Sequence, residues 1–342
     1  ERIRLQGEEA SDELICRAFA AVRAASGETP LTYFEFAALA ALYLFREAEV
    51  DVALLEIGLG GRLDAFNLVD ADVAIVTSIG LDHQDYLGDD LESIGREKAG
   101  IFRASRPVVL GTVTESVHQA ALELDCPRLR LGEEFRVARS AADWSYQNDA
   151  MSLSIEHLAY GSFAPDNCAL ALTAACLVLE QQRLPVEPTV LAQALATTRL
   201  AGRMERHDYR DTPVVLDVAH NPAAAEFLAA ELATRWPERR YVAIYGALED
   251  KDAVAVLAAL EHLVLHWLLV PTFGWRGQTA EQLAARLEPG TDAEICASMA
   301  AALDRAHSLT APGNGLLAFG SFSAVEQARE LVIDAGPQTD DG

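Results

Sequence analysis

The sequence predicts an α/β protein with two domains, each built on a mostly parallel β-sheet. Short apolar runs of strand length alternate with amphipathic segments of helix length along the whole chain, which is the order expected of βαβ units. Several of these runs are continuously apolar, as in parallel strands that are covered on both faces. The chain has 342 residues, of which 51% are hydrophobic, and this length accommodates two domains of ordinary size.

Helix caps and apolar runs place the elements of the first half. Helices are expected at residues 12–25, 32–45 and 90–100. The second of these begins with Thr32 and Glu35, whose spacing is that of a capping box, and Gly100 is a natural stop for the third. Strands are expected at residues 52–57, 72–79 and 107–113, and a small antiparallel insertion falls within residues 128–157.

The second half repeats the alternation after two further helices. Asn167 is expected as the N-cap of a long helix over residues 168–182, and a shorter helix follows at residues 184–196. The pair Asn221-Pro222 begins a helix after the strand at residues 214–219, because proline suits the first helical position. Further strands are expected at residues 241–248, 266–273 and 315–322, with helices at residues 253–263, 279–287 and 298–306.

The stretch TTRLAGRMER interrupts this alternation and is predicted to be a hinge. We therefore expect a central domain at residues 1–198, a hinge at 199–206, a C-terminal domain at 207–335 and a disordered tail at 336–342. Four arginines lie in or beside the hinge, namely Arg199, Arg203, Arg206 and Arg210. Such a cluster in an acidic chain suits an anion, above all phosphate; a solvated run of linker charges is the alternative.

Composition limits the classes of function. The 52 acidic residues outnumber the 27 basic ones and give a net charge of −25, which argues against a surface for nucleic acid or for anionic membranes. The five cysteines are scattered without a CxxC pair, as in reduced cytosolic proteins. The longest apolar run is too short to span a bilayer, and no leader of the secretory type opens the chain. We expect a cytoplasmic protein.

Acidic and imidazole side chains follow two of the predicted strands. Glu56 interrupts the apolar run at residues 52–57, which is followed by three glycines, and His83 follows the strand at residues 72–79. In open α/β sheets ligands bind at the carboxyl ends of strands, and carboxylate oxygens suit a hard cation such as Mg²⁺. A simple ion pair between Glu56 and the nearby Arg62 is the alternative.

The glycine-rich stretch GLGGRL is similar to a dinucleotide-binding fingerprint but departs from it. Leu63 occupies the position of the third glycine, and no helical pattern follows before the next strand. We therefore expect no NAD site at this loop.

Two further positions are candidates for chemistry. Only two of the 27 basic residues are lysines, Lys98 and Lys251, and a lysine kept in such a background can do chemistry that arginine cannot. For Lys98 the alternative is a cation that only complements the helix dipole. Asp217 and His220 flank a strand-to-helix turn, where exposed backbone N–H groups favour anions.

Nine motifs run along the chain in the order LTYFEF, LLEIGLGGRLDAFN, VTSIGLDHQDYLG, SIGREKAGIF, APDNCALAL, LAGRME, LDVAHNPAAAEFL, GALEDKD and FGSF. Together they resemble the folylpolyglutamate synthase/dihydrofolate synthase family, the folate branch of the Mur ligase superfamily. The resemblance implies a Mur-ligase-like central domain of the P-loop NTPase type and a smaller, Rossmann-like C-terminal domain. It further implies a monomeric ligase in which ATP phosphorylates a carboxylate of dihydropteroate or tetrahydrofolate, and the amine of L-glutamate attacks the acyl phosphate.

The resemblance also implies roles for particular residues. The Mg²⁺ ligands would be Glu56 and His83, and Lys98 would be carbamylated by carbon dioxide near the metal. ATP would contact Asn167, Arg203 and Asp217, with His220 close to its phosphates. The pocket for the pterin acid would be lined by Thr32, Tyr33, Phe34, Glu35, Leu63, Asp64 and Ala65. Lys251 also matches a family motif, without an assigned role.

One departure from the family pattern concerns the phosphate-binding loop. The family has a P-loop of the form GxxxxGK[ST], and this sequence contains none. The chain opens in a strand-like segment without methionine, so we expect an N-terminally incomplete sequence that binds ATP poorly and does not turn over as given. The alternatives are a Mur-type peptide ligase and a non-catalytic nucleotide-binding relative. Domain closure over ATP at residues 197–206 is a further hypothesis.

Overall fold

The computed structural model describes residues 3–81, 84–140, 142–161, 163–288 and 291–335. The chain divides into two compact units, Glu1–Leu129 and Arg130–Gly342. His83 and the predicted tail at residues 336–342 lie outside the described residues. The domain boundaries and the hinge expected from the sequence stay predictions.

The first unit contains a helical pair and a small parallel sheet. Its helices are α1 (Asp12–Ser26), α2 (Tyr33–Glu47), α3 (Gln84–Leu87), α4 (Leu91–Ala99) and α5 (Glu115–Glu123), with a 3₁₀ turn at Ala65–Leu68. Its strands are β1 (Arg4–Leu5), β2 (Glu8–Glu9), β3 (Ala74–Ser78), β4 (Val108–Thr112) and β5 (Arg128–Arg130). The short strands β1 and β2 pair antiparallel, and the larger sheet has the order β3-β4-β5 with β3 and β4 parallel.

The helix starts of this unit agree with the sequence prediction. Ser11 caps α1, and its side chain accepts a hydrogen bond from the N–H of Leu14. Thr32 and Glu35 form the expected capping box at the start of α2. Asp90 caps α4, and Gly100 ends it. Each cap satisfies backbone N–H groups that the first turn of a helix leaves without a partner.

The strand expected at residues 52–57 is not formed, and that prediction is wrong. The segment has no strand conformation, and the side chains of Val52 and Leu54 are 56% and 87% exposed. The physical reason is that a strand requires hydrogen-bonded neighbours. In the part of the chain that the structure describes, no strand pairs with this segment.

The second unit begins with an antiparallel sheet and a long helix. The sheet contains β6 (Phe135–Arg139), β7 (Asp143–Asn148) and β8 (Leu153–Ala159), each antiparallel to the next, which confirms the predicted insertion. Two helices follow, α6 (Pro165–Gln181) and α7 (Pro188–Thr197). The buried hydroxyls of Tyr146 and Thr173 lie 2.9 Å apart and join the sheet to α6.

The position of Asn167 differs from the prediction. Helix α6 begins with Ala164 as its N-cap and Pro165 at the first helical position, so Asn167 lies in the first turn with an exposed side chain. Proline fixes φ near the helical value and needs no N–H partner at this position. The proline therefore starts the helix earlier than an asparagine cap would.

The second unit continues with a six-stranded sheet. Its strands are β9 (Glu205–Tyr209), β10 (Thr212–Asp217), β11 (Tyr241–Tyr245), β12 (Val264–Leu269), β13 (Ala293–Ile295) and β14 (Gly315–Phe319). The order is β13-β12-β11-β14-β10-β9, parallel throughout except that β9 runs antiparallel to β10. The helices are α8 (Pro222–Arg235), α9 (Ala253–Leu260), α10 (Ala280–Ala284), α11 (Met299–Leu309) and α12 (Phe322–Ala335), with a 3₁₀ turn at Glu261–Leu263.

Helices cover both faces of this sheet. Leu228, Leu257 and Leu283 bring α8, α9 and α10 into one apolar cluster, whereas Met299 and Val325 bring α11 and α12 into another. All residues of the central strands β11 and β14 are buried, as their continuously apolar sequences predict. The Rossmann-like C-terminal domain of the sequence prediction is thereby confirmed, whereas α3, α5, α12, β9 and β13 were not predicted.

Candidate active site

The GLGGR loop of the first unit packs closely against the end of α4. The N–H of Arg62 donates to the carbonyl of Glu97 at 2.9 Å, and the Arg62 Nε lies 3.0 Å from the Glu97 carboxylate. A Cβ at Gly61 would lie 2.7 Å from the carbonyl oxygen of Glu97 and 2.8 Å from that of Lys98. Glycine is therefore required for this approach, which places the loop beside the last turn of α4, where Lys98 lies.

Asp64 fixes the segment that follows Glu56. Its Oδ2 accepts hydrogen bonds from the N–H groups of Gly58 and Leu59 at 2.9 and 3.1 Å. Its Oδ1 accepts from the N–H of Phe66 at 2.9 Å, so Asp64 also caps the 3₁₀ turn. Three backbone donors therefore bind the one carboxylate, and its placement in the pterin-acid pocket stays a prediction.

Glu56 has an exposed carboxylate that makes no hydrogen bond or ion pair with any residue that the structure describes. The alternative of an ion pair with Arg62 is wrong, because Arg62 pairs with Glu97. An exposed carboxylate held just before an ordered loop fits a ligand of a hard cation. The other predicted ligand, His83, lies outside the described residues; among those described, no three His, Cys, Asp or Glu side chains form a metal cluster.

Lys98 lies in the last turn of α4 with a partly exposed side chain. No carboxylate in the described ranges pairs with its amine, although Glu97 is its neighbour in sequence. The position allows a favourable interaction with the helix dipole. It also leaves the Nζ available for covalent chemistry.

Four of the residues predicted to line the pterin-acid pocket form two pairs with opposite character. Thr32 and Glu35 satisfy each other, since the N–H and the hydroxyl of Thr32 donate to the Glu35 carboxylate at 2.7 and 2.8 Å. These hydrogen bonds hold the pKa of Glu35 below its usual range. Tyr33 and Leu63, by contrast, are 76% and 80% exposed.

Phe34 and Ala65 link helix α2 to the 3₁₀ turn. The ring of Phe34 meets that of Phe66 edge to face, with centres 5.7 Å apart, and a Cβ at Gly58 would lie 2.7 Å from the Phe34 ring. A shallow cavity of about 200 Å³ lies nearby. It is lined by Leu31, Glu35, Ala38, Leu39, Leu42 and Ala65.

In the second unit, Asp217 lies at the end of β10 with both carboxylate oxygens bound by backbone donors. Its Oδ2 accepts from the N–H of Met204 and its Oδ1 from the N–H of Ala219, both at 2.9 Å. Burial raises the pKa of Asp217, against the lowering effect of these two hydrogen bonds. His220 follows in the same turn, with its Nδ1 3.1 Å from the carbonyl oxygen of Val218.

The four arginines at the predicted hinge do not converge on one anion site. The guanidinium carbon of Arg203 lies 5.7 Å from the centre of the Phe322 ring, whereas that of Arg206 lies over the ring of Trp236. Arg210 pairs with Asp304, and Arg199 donates to carbonyls at the end of α7. Each arginine thus has its own partner.

Sequence reasoning missed two residues next to Arg203. Glu205 belongs to the motif LAGRME and Phe322 to the motif FGSF, but neither had an assigned role. Glu205 contacts the Arg203 turn locally, through the N–H of Gly202, whereas Phe322 approaches Arg203 from a distant part of the chain. The signal in the sequence was the presence of both residues in recognisable motifs.

Within the described ranges, no helix has both the length and the apolar character that crossing a membrane requires.

The fold and these sites define a protein of the Mur ligase class. The family model of the Mur ligase middle domain matches residues 13–174. The model of the Mur ligase glutamate ligase domain matches residues 202–322.

Similar proteins narrow this class to one family. Dihydrofolate synthase/folylpolyglutamate synthase of Escherichia coli K12 is 41% identical over 338 residues, which cover 98% of this chain and 77% of that protein. The protein of the same name from Haemophilus influenzae is 36% identical and covers 97% of this chain and 79% of its own length.

Solved structures agree with this relationship. E. coli FolC in complex with ADP superposes with a TM-score of 0.88 at 40% identity, over 97% of this chain and 79% of that one. The bifunctional enzyme of Yersinia pestis complexed with AMPPNP and Mn gives a TM-score of 0.85 at 36% identity, over 96% and 78%. The chain belongs to the dihydrofolate synthase/folylpolyglutamate synthase family.

Proposed function

We propose that this protein is the ATP-dependent ligase that adds L-glutamate to dihydropteroate, giving dihydrofolate, and to tetrahydrofolate, giving polyglutamates. The observation that carries the proposal is the 41% identity that extends over 98% of the chain, through both units. Related structures are described with ADP, with DHPP and ADP, and with Mn, AMPPNP and L-glutamate. The reaction would proceed through an acyl phosphate of the pterin acid, which the amine of glutamate attacks with release of phosphate.

Glu56 and His83 are proposed to hold Mg²⁺. The exposed Glu56 carboxylate, which pairs with no described residue, is a suitable oxygen ligand. The metal, when bound, would neutralise charge on the phosphate oxygens during phosphoryl transfer. Asp64 supports this arrangement because it anchors the backbone directly after Glu56.

Lys98 is proposed to act as a carbamate. Its neutral amine would add to carbon dioxide and lose a proton, which gives an anionic oxygen ligand close to the loop that carries Glu56. Arginine cannot replace it, because the guanidinium stays protonated in proteins. The support from the structure is an amine at the end of α4, beside the GLGGR loop and without an ion pair among the described residues.

Asn167, Arg203, Asp217 and His220 are proposed to bind ATP. The carboxylate of Asp217 holds the turn that carries Arg203, since it accepts the N–H of Met204. Asp217 would therefore act both on the nucleotide and on the position of Arg203. His220 stands next to the N-terminus of α8, where backbone N–H groups favour phosphate.

The pterin acid is proposed to bind beside the start of α2. The cavity that includes Glu35 and Ala65 and the paired rings of Phe34 and Phe66 supply apolar surface of the kind that a flat heterocycle needs. Tyr33, with 76% of its surface exposed, is available for contact with this ligand. Thr32, Leu63 and Asp64 complete the proposed pocket.

A substrate comparison tests the proposal. The purified protein, expressed together with any residues that its gene encodes before Glu1, is given ATP, Mg²⁺ and L-glutamate with dihydropteroate, with tetrahydrofolate or with a muramyl peptide, and phosphate release and product mass are measured. We expect glutamylated product with the two pterin substrates only. Product with the muramyl peptide alone would favour a Mur-type peptide ligase, whereas nucleotide binding without product would favour a non-catalytic relative.

Lys98→Ala tests the carbamate. We expect this variant to lose activity and to regain part of it with added short carboxylates, whereas Lys98→Arg should not be rescued. Full activity of Lys98→Ala without any addition would refute the role of Lys98.

The protein is further proposed to work as a cytoplasmic monomer. Size-exclusion chromatography with light scattering would test the oligomeric state.

A further inference from the structure

The turn that carries Arg203 has an unusual backbone conformation. Gly202 has φ 68° and Met204 has φ 42°, so two of three consecutive residues adopt the left-handed region. For a residue other than glycine this conformation is strained. The surrounding structure must therefore hold the turn in place.

Two carboxylates bind this turn from different sides. The N–H of Met204 donates to the Asp217 carboxylate at 2.9 Å, and the N–H of Gly202 donates to Oε2 of Glu205 at 2.8 Å. The carbonyl of Gly202 in turn accepts from the N–H of Val218 at 3.0 Å. Arg203 thus projects from a turn whose two flanking N–H groups are both held by carboxylates.

Glu205 is itself fixed by its second oxygen. Its Oε1 lies 2.8 Å from Nε of Arg329 and 2.8 Å from Nε2 of His207, and its side chain is only 15% exposed. Burial raises the pKa of Glu205, but these hydrogen bonds and the one from Gly202 outweigh it and hold the pKa below its usual range. The group is therefore a carboxylate at neutral pH.

Helix α12 contacts the Arg203 turn at two places. Arg329 pairs with Glu205, and the ring of Phe322, two turns earlier on the same helix, lies under the guanidinium of Arg203. The two contacts fall on one face of α12, since residues seven apart in a helix lie on the same side. The helix therefore supports both the backbone and the side chain of the arginine.

We propose that Glu205, held by Arg329, is a positioning residue for nucleotide binding by Arg203. This inference rests on the proposed function, because the role of Arg203 toward ATP belongs to that proposal. Glu205 does not touch the nucleotide; it sets the direction in which the Arg203 guanidinium points. Arg329, 124 residues away in sequence, becomes part of the nucleotide site through this carboxylate.

The test uses the protein expressed together with any residues that its gene encodes before Glu1. It measures the affinity for magnesium AMPPNP by calorimetry, alongside the KM values for L-glutamate and the pterin acid. Glu205→Gln keeps the size of the side chain but replaces one carboxylate oxygen by an NH₂ group, which cannot accept a hydrogen bond from Gly202 or Arg329. We therefore expect about tenfold weaker nucleotide binding. The KM values for the other two substrates should stay within about twofold. A merely structural residue would change all three affinities together or only lower the melting temperature.

Matched variants separate the possible results. Arg329→Gln should weaken AMPPNP binding like Glu205→Gln, the double variant should be no weaker than either single one, and Arg329→Lys should keep most of the affinity. Arg305→Gln, which breaks an exposed ion pair with Glu294 on the same sheet, should change nothing.

Arg203→Gln serves as the reference for the proposed function. If Arg203→Gln weakens AMPPNP binding but Glu205→Gln and Arg329→Gln do not, the positioning role is refuted while the role of Arg203 stands. If Arg203→Gln itself leaves the affinity unchanged, the assignment of Arg203 to ATP fails, and the positioning role fails with it. Melting temperatures of all variants show whether each one is folded.

Discussion

The ion pair of Arg235 and Glu231 allows a quantitative test of the packing in the second unit. The two side chains are 4% and 7% exposed, and the Nη2 and Oε2 atoms lie 2.7 Å apart. The same guanidinium donates to the carbonyl oxygens of Gly161 and Phe163 at 2.6 and 3.2 Å. Arg235 therefore joins the end of α8 to the segment that leads into α6.

Arg235→Met keeps an unbranched apolar stem but removes every donor. The Glu231 carboxylate is then buried without its partner, a change that costs about 3–5 kcal/mol. The carbonyls of Gly161 and Phe163 lose their donors as well, at about 1 kcal/mol each where water does not replace them. We expect the free energy of unfolding to fall by at least about 4 kcal/mol, a large part of the stability of an ordinary domain.

Urea denaturation followed by circular dichroism measures this loss. Arg305→Met is the control, since its pair with Glu294 is 46% and 47% exposed and should contribute less than about 1 kcal/mol. The double variant Glu231→Met/Arg235→Met removes the stranded carboxylate and should recover a clear part of the loss. A free energy of unfolding of Arg235→Met within about 1 kcal/mol of the wild-type value would refute the reasoning. A double variant as unstable as Arg235→Met would show that the buried charge of Glu231 is not the cause of the loss of stability.

Four further outcomes are expected in the same denaturation assay. Thr32→Ala removes a helix cap and should cost about 1 kcal/mol; no loss would mean that the capping box contributes little. Gly61→Ala should cost about 1–3 kcal/mol, because its Cβ would lie 2.7 Å from a backbone oxygen. Gly161→Ala is the control and should be neutral, because no atom lies within 4 Å of its Cβ. Equal stability of the two variants would contradict the close approach at Gly61. Tyr245→Phe should stabilise the protein by about 1 kcal/mol, because its buried hydroxyl has no hydrogen-bond partner among the described residues; a loss would reveal a partner. The pKa of Glu205 is lowered in the folded protein, so its contribution to the free energy of unfolding is present above about pH 4.3 and is lost as the pH falls through the folded-state pKa. The stability difference between wild type and Glu205→Gln should therefore narrow on acidification. A difference that stays constant with pH would contradict this.

The comparison of sequence and structure is most informative at the predicted metal site. Glu56 was proposed as a ligand from its position near the end of an apolar run, but the run itself does not form the expected strand. The apolar pattern describes what a segment can do, whereas a strand depends on a neighbour that supplies hydrogen bonds. Glu56 therefore stays a candidate ligand, although the secondary structure predicted around it is wrong.

The partners of charged residues show the same limit. Arg62 was expected as the alternative partner of Glu56, but it pairs with Glu97, 35 residues further along the chain. The arginines near the predicted hinge were expected as one cluster, but Arg203 and Arg210 have separate partners on α12 and α11. Ion pairs depend on which surfaces meet, and a single sequence does not contain that information.

The sequence by itself determined the alternation of helices and strands, the class of fold, the family and most helix starts. These features depend on periodicity and on contacts within three or four residues, such as the Thr32 capping box, which local chemistry decides. Only the tertiary structure decided the sheet order, the failure of residues 52–57 to form a strand, and the contact of Glu205 with Arg329. Such features join residues that are distant in the chain, and the packing of the whole unit selects them.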